Sequence, residues 1–229
     1  MSKVLIVNAG SSSLKFKLFE MPQEEVLADG EVERLNMPGS KVKIKYGDGQ
    51  VYKAEEDKID YERSAGIMLN NLKDLGVIDR LRDIDAIGNR VVAGSDIFNK
   101  VVKIDDDSLS QIVELGDIAP IHNPVEAEYI EIIRRILPDT DQYAIFDSAF
   151  FKDVPEVNSI YGIPYELTKK FTIRRYGEHG INHGFITQQA EEILGNDKAK
   201  LVTLHLAQEP LSPLRRTASV TTPRWASHR

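Results

Sequence analysis

A chain of 229 residues with 41% hydrophobic content and mixed charges has room for one large domain or two small ones, and the composition of an ordinary globular protein. Its net charge of −7 argues against the basic surface of a general nucleic-acid binder. With no cysteine, a disulfide framework, a thiolate nucleophile and a Cys-based metal site are all excluded.

Val4–Val7 is too short an apolar run for a signal peptide, and no stretch has the length of a membrane-spanning helix, so a cytoplasmic protein without membrane partners is expected. The run Val4–Asn8, the small polar turn Ala9–Ser13 and the alternating Leu14–Phe19 predict an N-terminal β-hairpin, its first strand buried on both faces and its second on one. Val42–Tyr46 and Val51–Lys53 around Gly47-Asp48-Gly49 predict a second hairpin. Helical spacing follows over Tyr61–Leu75, stopped by Gly76, and Ile84–Gly88 leads into a buried strand through Arg90. Asp105–Leu115 opens with acids and Ser108, a helix start, and Glu126–Leu137 is amphipathic and ended by Pro138. A strand at Gln142–Phe146, a helix at Ile181–Gly195 and a strand at Leu201–Leu206 complete an alternating pattern, so the class is mixed α/β.

Several residues on this frame could carry chemistry. At the first hairpin tip Asn8 offers an amide, Gly10 allows close backbone approach, Ser11, Ser12 and Ser13 offer hydroxyls, and Lys15 adds a charge. Such a turn can bind an anion or simply be solvated. Arg90, at the end of an apolar strand, could hold a carboxylate or phosphoryl group bidentately, or form a structural ion pair. His122 and His179 could donate to an oxygen of a transferring phosphoryl group, and the glycines flanking His179 suggest close ligand approach. Asp147 ends a strand, a common place for a ligand-binding carboxylate and equally for a helix N-cap. The chain has no Gly-x-x-x-x-Gly-Lys-Ser/Thr loop and no protein-kinase signature.

After Leu206 the character changes. Ala207–Arg229 carries four arginines against the single Glu209, with three prolines and no apolar period, the composition of a disordered basic tail.

Five motifs in order resemble the acetate kinase family. The opening strand with Asn8-Ala-Gly-Ser-Ser-Ser-Leu-Lys15 is nearly the family's own. Asn89-Arg-Val-Val-Ala-Gly94 is similar to His-Arg-Val-Val-His-Gly, and Ala119-Pro-Ile-His-Asn-Pro124 to Ala-Pro-Leu-His-Asn-Pro. Phe146-Asp-Ser-Ala-Phe150 is similar to Phe-Asp-Thr-Ala-Phe, and Arg174-Arg-Tyr-Gly-Glu-His-Gly-Ile-Asn-His183 to Arg-Arg-Tyr-Gly-Phe-His-Gly-Thr-Ser-His.

The resemblance implies an actin-like ATPase (ribonuclease H-like) fold. In it residues 1–149 form the N-terminal domain, 150–206 begin an incomplete nucleotide-side domain, and 207–229 are aberrant. It implies reversible, Mg²⁺-dependent (or Mn²⁺-dependent) phosphoryl transfer from ATP to acetate, giving acetyl phosphate and ADP. Propionate kinase, or a non-catalytic binding remnant, is the alternative. It assigns His179, Asp147 and Arg90 to catalysis, and Arg90, Val92, Ile121 and His122 to the acyl substrate. Ser11, Ser13, Lys15 and His205 fall to phosphate and nucleotide, and Asn8 to the metal. Glu178, where many relatives have a Phe in the acyl pocket, leaves the chain-length preference open, and Asn89 and Ala93 replace family histidines. The homodimer of the family is not expected of this chain, which lacks the family's later arginine and glycine turns, and no turnover is expected from it. A base lost at codon 207 is the alternative to a genuine tail: Ala207–Ser212 can then be re-read as Gly-Thr-Gly-Ala-Ile-Ile, and Thr221–Ala226 as Asx-Thr-Thr-Met-Gly.

Overall fold

The structure is a computed structural model that describes residues 1–206 and the backbone of residues 216–221. The chain divides into two compact units. The first comprises Met1–Ala93 and Lys100–Ile145; the second takes Gly94–Asn99 and the chain from Phe146 onward. From sequence the division was expected between residues 149 and 150, with no excursion of the chain before it.

The first unit is built on a sheet whose first five strands are a meander: β1 (Ser2–Ala9), β2 (Ser13–Met21), β3 (Glu25–Glu33), β4 (Ser40–Tyr46) and β5 (Gln50–Glu56). β6 (Ala86–Val91), β7 (Val102–Lys103) and β8 (Asp141–Phe146) extend it in the order β5-β4-β3-β2-β1-β6-β8-β7. Both hairpins read from the sequence are present. Burial along β1 corrects one expectation. Leu5, Val7 and Ala9 are buried but Ile6 is 38% exposed, so this strand is closed on one face and partly open on the other. Two helices, α1 (Tyr61–Asp74) and α3 (Asn123–Ile136), pack on the sheet, and α2 (Asp106–Glu114) packs on α3. Their ends obey local rules. Asp60 caps α1 by accepting from the Arg63 N–H, Asp105 and Ser108 form a reciprocal capping box on α2, and Gly76 follows α1 at a positive φ of 71°.

The core runs from Leu5, Leu14, Phe16 and Leu18 on the sheet to Met68, Leu69 and Leu72 of α1 and Tyr129 and Ile133 of α3. The Tyr129 hydroxyl lies 2.6 Å from Ser64 Oγ, so the two helices share a buried hydrogen bond, and burial pushes the Tyr129 phenol pKa well up. Gly66, inside α1, faces open space where a Cβ would meet nothing within 4 Å. Gly66→Ala is therefore expected to stabilise the first unit by about 0.5–1 kcal/mol, through helix propensity alone, read as a raised urea midpoint at unchanged slope.

The second unit holds a short 3-10 turn at Asp147–Phe151, then α4 (Glu156–Ser159), α5 (Tyr165–Phe171), α6 (Gly180–Leu194) and β9 (Leu201–Leu206). Its excursion Gly94–Asn99 is fastened by the Gly94 N–H donating to Ser148 Oγ at 2.8 Å and by Phe98 stacked on Phe146 with ring centroids 4.6 Å apart. Composition pointed to a tail without regular structure, yet the backbone of β10 (Arg216–Thr221) pairs antiparallel with β9, Arg216 opposite Leu206. The re-reading suggested for Ala207–Ser212 and Thr221–Ala226 lies outside the described residues, apart from the backbone of Thr221. No helix among the described residues is long and apolar enough to cross a membrane.

Candidate functional site

In the first unit the site is set by strand pairing. β6 runs parallel to β1 with Val7 opposite Asn89, so the next residues along, Asn8 and Arg90, emerge side by side. The Arg90 Nη1 donates to Asn8 Oδ1 at 3.0 Å, and both side chains are half-buried. A guanidinium so held presents its remaining donors in a fixed fork, the geometry that recognises a carboxylate or a phosphoryl group.

Beyond Asn8 the hairpin tip is bound to the body of the unit by its backbone. The Gly10 N–H donates to the Ser13 carbonyl at 2.8 Å, the Leu35 N–H to that of Ser12 at 3.1 Å, and the Tyr61 hydroxyl to that of Ser11 at 3.1 Å. Ser11 and Ser12 stay exposed, with Ser13 half-buried at the start of β2. Lys15 projects from the polar side of β2, 57% exposed, and pairs with Glu31 at 3.1 Å. Solvent and side-chain entropy make such a pair worth little, so it can be exchanged for an anionic ligand.

The loop after Arg90 is held by two residues that sequence reasoning missed. Asn123, fully buried at the start of α3, accepts from the Ala93 N–H at 3.1 Å and donates to the Ala93 carbonyl at 2.9 Å and the Ile112 carbonyl at 3.3 Å. Glu126, 2% exposed one turn on, accepts from the Val92 N–H at 3.0 Å. A buried carboxylate spent on a backbone amide fixes the chain on which Arg90 sits. The available signal was a polar residue at each of two inward positions of an amphipathic helix. Asn89, 3% exposed, donates to Gln142 Oε1 at 3.0 Å and serves the sheet rather than a ligand. His122 takes the N-cap position of α3, exposed and without a capping hydrogen bond. Val92 is 8% exposed and Ile121 68%, so the two residues expected to line an acyl pocket differ sharply in accessibility.

In the second unit Asp147, 1% exposed, accepts at Oδ1 from the Ile181 N–H at 3.2 Å. Its carboxylate thus sits on the N-terminus of α6, where the helix dipole favours negative charge. His179, just before that helix, has a left-handed backbone with φ 57° and stacks on His205, the rings 4.1 Å apart and 11° from parallel. Asn182 Nδ2 lies 3.1 Å from His205 Nδ1.

The glycines beside His179 correct a sequence reading: they make room for the protein itself, not for a ligand. A Cβ on Gly180 would lie 1.9 Å from the Asp147 carbonyl oxygen, and one on Gly177, where φ is 83°, 2.1 Å from the Phe151 ring. Glu178 between them is exposed.

One histidine that sequence reasoning missed is His183, 1% exposed, with Nδ1 2.7 Å from Thr203 Oγ1 and Nε2 buried without a hydrogen-bond partner among the described residues. Burial, and then the charge of His205, push its pKa below 6.5, with Asp147 pulling the other way. An imidazole kept neutral when folded is protonated more easily once unfolded. Its stability contribution is complete above pH 6.5 and is lost as the pH falls from there toward the lower folded value. Thermal unfolding of the second unit at pH 7.5 and 5.5 should show that loss, and His183→Asn should flatten the pH dependence.

A cavity of about 110 Å³ in the second unit, lined among others by Ser95, Asp96, Ser148, Arg174 and Tyr176, contains none of the residues expected at a phosphoryl-transfer site. Arg174 there pairs with Asp96 and lies over the Tyr176 ring at 4.9 Å.

Comparison with known proteins gives a consistent result. Residues 3–222 match the Acetokinase family. An acetate kinase of Limosilactobacillus fermentum is 44% identical over 208 residues, 90% of this chain and 52% of that protein. Among solved structures, Porphyromonas gingivalis acetate kinase matches with TM-score 0.82 at 38% identity, over 90% of this chain and 53% of its own. A propionate kinase from Francisella tularensis matches with TM-score 0.83 at 36% identity, over 90% and 52%. The chain spans about half the length of the relatives it matches.

Proposed function

Because the chain belongs to the acetokinase family, we propose that it carries the acyl side, and part of the phosphoryl side, of an acetate kinase site. The observation behind this reading is the half-buried Arg90 guanidinium fixed on Asn8 at the end of β6. In the reaction a carboxylate oxygen of acetate attacks the γ-phosphorus of ATP in line, the bond to the β–γ bridging oxygen breaks, and acetyl phosphate and ADP leave. Little covalent help is needed from protein; the work is positioning and stabilisation of charge on the equatorial oxygens. Arg90 would pair with the substrate carboxylate, oriented by Asn8 and by the backbone that Asn123 and Glu126 hold. His122 and His179 would donate to phosphoryl oxygens, with His179 kept in plane by the His205 ring and Asp147 fixing the helix that follows. Ser11, Ser13 and Lys15 would meet the nucleotide phosphates at the hairpin tip, and Val92 and Ile121 the acyl methyl.

The donors present suit Mg²⁺. Asn8 would offer it an amide oxygen, and this ion keeps several waters and needs few protein ligands beside substrate phosphates. When bound it would neutralise charge on the nucleotide phosphates.

Propionate is the second reading, favoured by the Francisella tularensis likeness, while Glu178 leaves the chain-length preference open. One methylene changes the selectivity of an acyl pocket by only about 1–3 kcal/mol.

Saturation-transfer NMR tests the acyl side directly. The chain is expected to bind acetate, and Arg90→Ala to lose that binding at unchanged thermal stability. No acetate binding by the wild-type chain, or equal binding by the variant, overturns the assignment. The chain alone, given ATP, Mg²⁺, acetate and hydroxylamine, is expected to form no acetyl hydroxamate above the uncatalysed rate. We also propose the lost base at codon 207; gene sequencing in which the alternative frame fails to encode Gly-Thr-Gly-Ala-Ile-Ile would reject it.

A further inference from the structure

The cavity beside Arg174 lies wholly within the second unit, apart from the groups given roles in phosphoryl transfer. Its walls are fixed. The Gly94–Asn99 stretch is pinned by the bond to Ser148 and by the Phe98–Phe146 stack. Arg174 forms a β-bridge with Ile160, and the Arg175 N–H donates to the Ser159 carbonyl at 2.7 Å. A volume of about 110 Å³ takes a small ion with a few waters, well short of the roughly 300 Å³ or more of a site for a larger organic ligand. Its charge is one-sided. Lys152, Arg174 and Arg175 line it against a single carboxylate among the described residues, Asp96. Asp96 pairs with Arg174, whereas Lys152 and Arg175 have no carboxylate partner among the described residues. Arg174 Nε is moreover buried without a hydrogen-bond partner among those residues. A buried donor requires an acceptor, and two uncompensated cations favour an acceptor that carries negative charge.

We propose that this cavity binds a free tetrahedral oxyanion of the inorganic phosphate class, held by Arg174, Arg175 and Lys152. The Ser148 hydroxyl accepts from the Gly94 N–H, which leaves its own proton to donate to the ion. A monocarboxylate brings two oxygens and one charge. Phosphate brings four oxygens and up to two charges, which suits three cations reaching in from separate stretches of chain. The volume favours the free ion over a phosphoryl group carried on a larger molecule. None of these residues takes part in the reaction proposed above, so the site stands or falls independently of it.

The experiment is titration of the whole chain with inorganic phosphate at low ionic strength, followed by backbone amide NMR. Saturable shifts are expected at Ser95, Asp96, Ser148 and Arg174–Tyr176, distinct from any at Ser11–Ser13 and Arg90. Acetate and phenyl phosphate should bind these amides at least about tenfold more weakly, the first for want of charge and the second for want of room. Arg174→Lys keeps a cation for Asp96 but gives up the Nε donor, and should weaken phosphate about tenfold. Lys152→Gln should weaken it several-fold, and Asp96→Asn, which removes the opposing charge, should tighten it. If Arg174→Lys lowers the melt of the second unit, Lys152→Gln decides alone, because that position is exposed. The proposal is overturned by absence of saturable shifts at these amides, by equal binding of acetate or phenyl phosphate, by unchanged affinity in Lys152→Gln, or by weaker binding in Asp96→Asn. Shifts confined to the hairpin tip and Arg90 would place phosphate at the site proposed above and would equally reject the cavity.

Discussion

Gly180→Ala is expected to unfold the second unit while the first continues to melt as before. The added Cβ would fall 1.9 Å from the Asp147 carbonyl oxygen and 2.8 Å from the Phe150 Cβ, the one a backbone atom and the other attached directly to backbone. No rotamer change relieves such a clash; the first turn of α6 has to move off the Asp147 turn, and the bond from the Ile181 N–H to the Asp147 carboxylate goes with it. Overpacking combined with a lost helix cap predicts a cost of about 3 kcal/mol or more, a large part of the stability of a small unit. Gly184→Ala, on the same helix, meets Phe150 ring atoms at 3.1 Å, where a side chain can yield, and should cost far less. Hydrogen exchange resolved by segment separates the outcomes: fast exchange in α6 with protected β1–β5 is expected, and a Gly180→Ala protein with native α6 protection would refute the argument.

The second large effect is expected at Asn123. Replacing it by alanine removes three hydrogen bonds at once and strands the Ala93 N–H and carbonyl and the Ile112 carbonyl in a buried setting. Unsatisfied buried groups cost about 1–3 kcal/mol each, so Asn123→Ala should destabilise the first unit by about 3 kcal/mol or more. Asn123→Asp keeps the acceptor for the Ala93 N–H but turns a buried carboxylate oxygen toward the Ala93 and Ile112 carbonyls, and should be no more stable than alanine at neutral pH. Urea titration of the first unit gives the order; an alanine variant as stable as wild type would mean that water replaces the amide without cost. Because Ala93 follows Arg90 closely, acetate binding by the surviving folded fraction should weaken as well.

Most of the first unit could be read from its periodicities, and the exceptions have physical causes. The meander strand β3 escaped notice because its inward positions are Ala28, Gly30 and Val32, too small to make an apolar rhythm. The space at Gly30 is filled by the Phe16 ring of the neighbouring strand, 2.1 Å from where a Cβ would stand, so the core is supplied from β2 and leaves no mark in β3 itself. The extreme residues of the site, Asn8 and Arg90, were picked out singly. Their contact was not, because it depends on parallel pairing across 82 positions of sequence. His183 and Thr203 were passed over for the same reason: each is unremarkable within its own element, and the pair exists only once a helix and a strand are laid together. The glycines around His179 were noticed for the right property, absence of a side chain, and assigned the wrong neighbour.

The six-residue excursion Gly94–Asn99 has a consequence for the order of biosynthesis. This stretch leaves the ribosome well before Phe146 and Ser148, the residues that will stack on it and bond to it. Until they arrive it is a loop without anchors, spliced between the Arg90 strand and the remainder of its own unit. No single cut can therefore release either unit whole, and a nascent chain stopped at residue 145 should be open to protease at Ser95–Asn99, becoming resistant there only after some further length has been made.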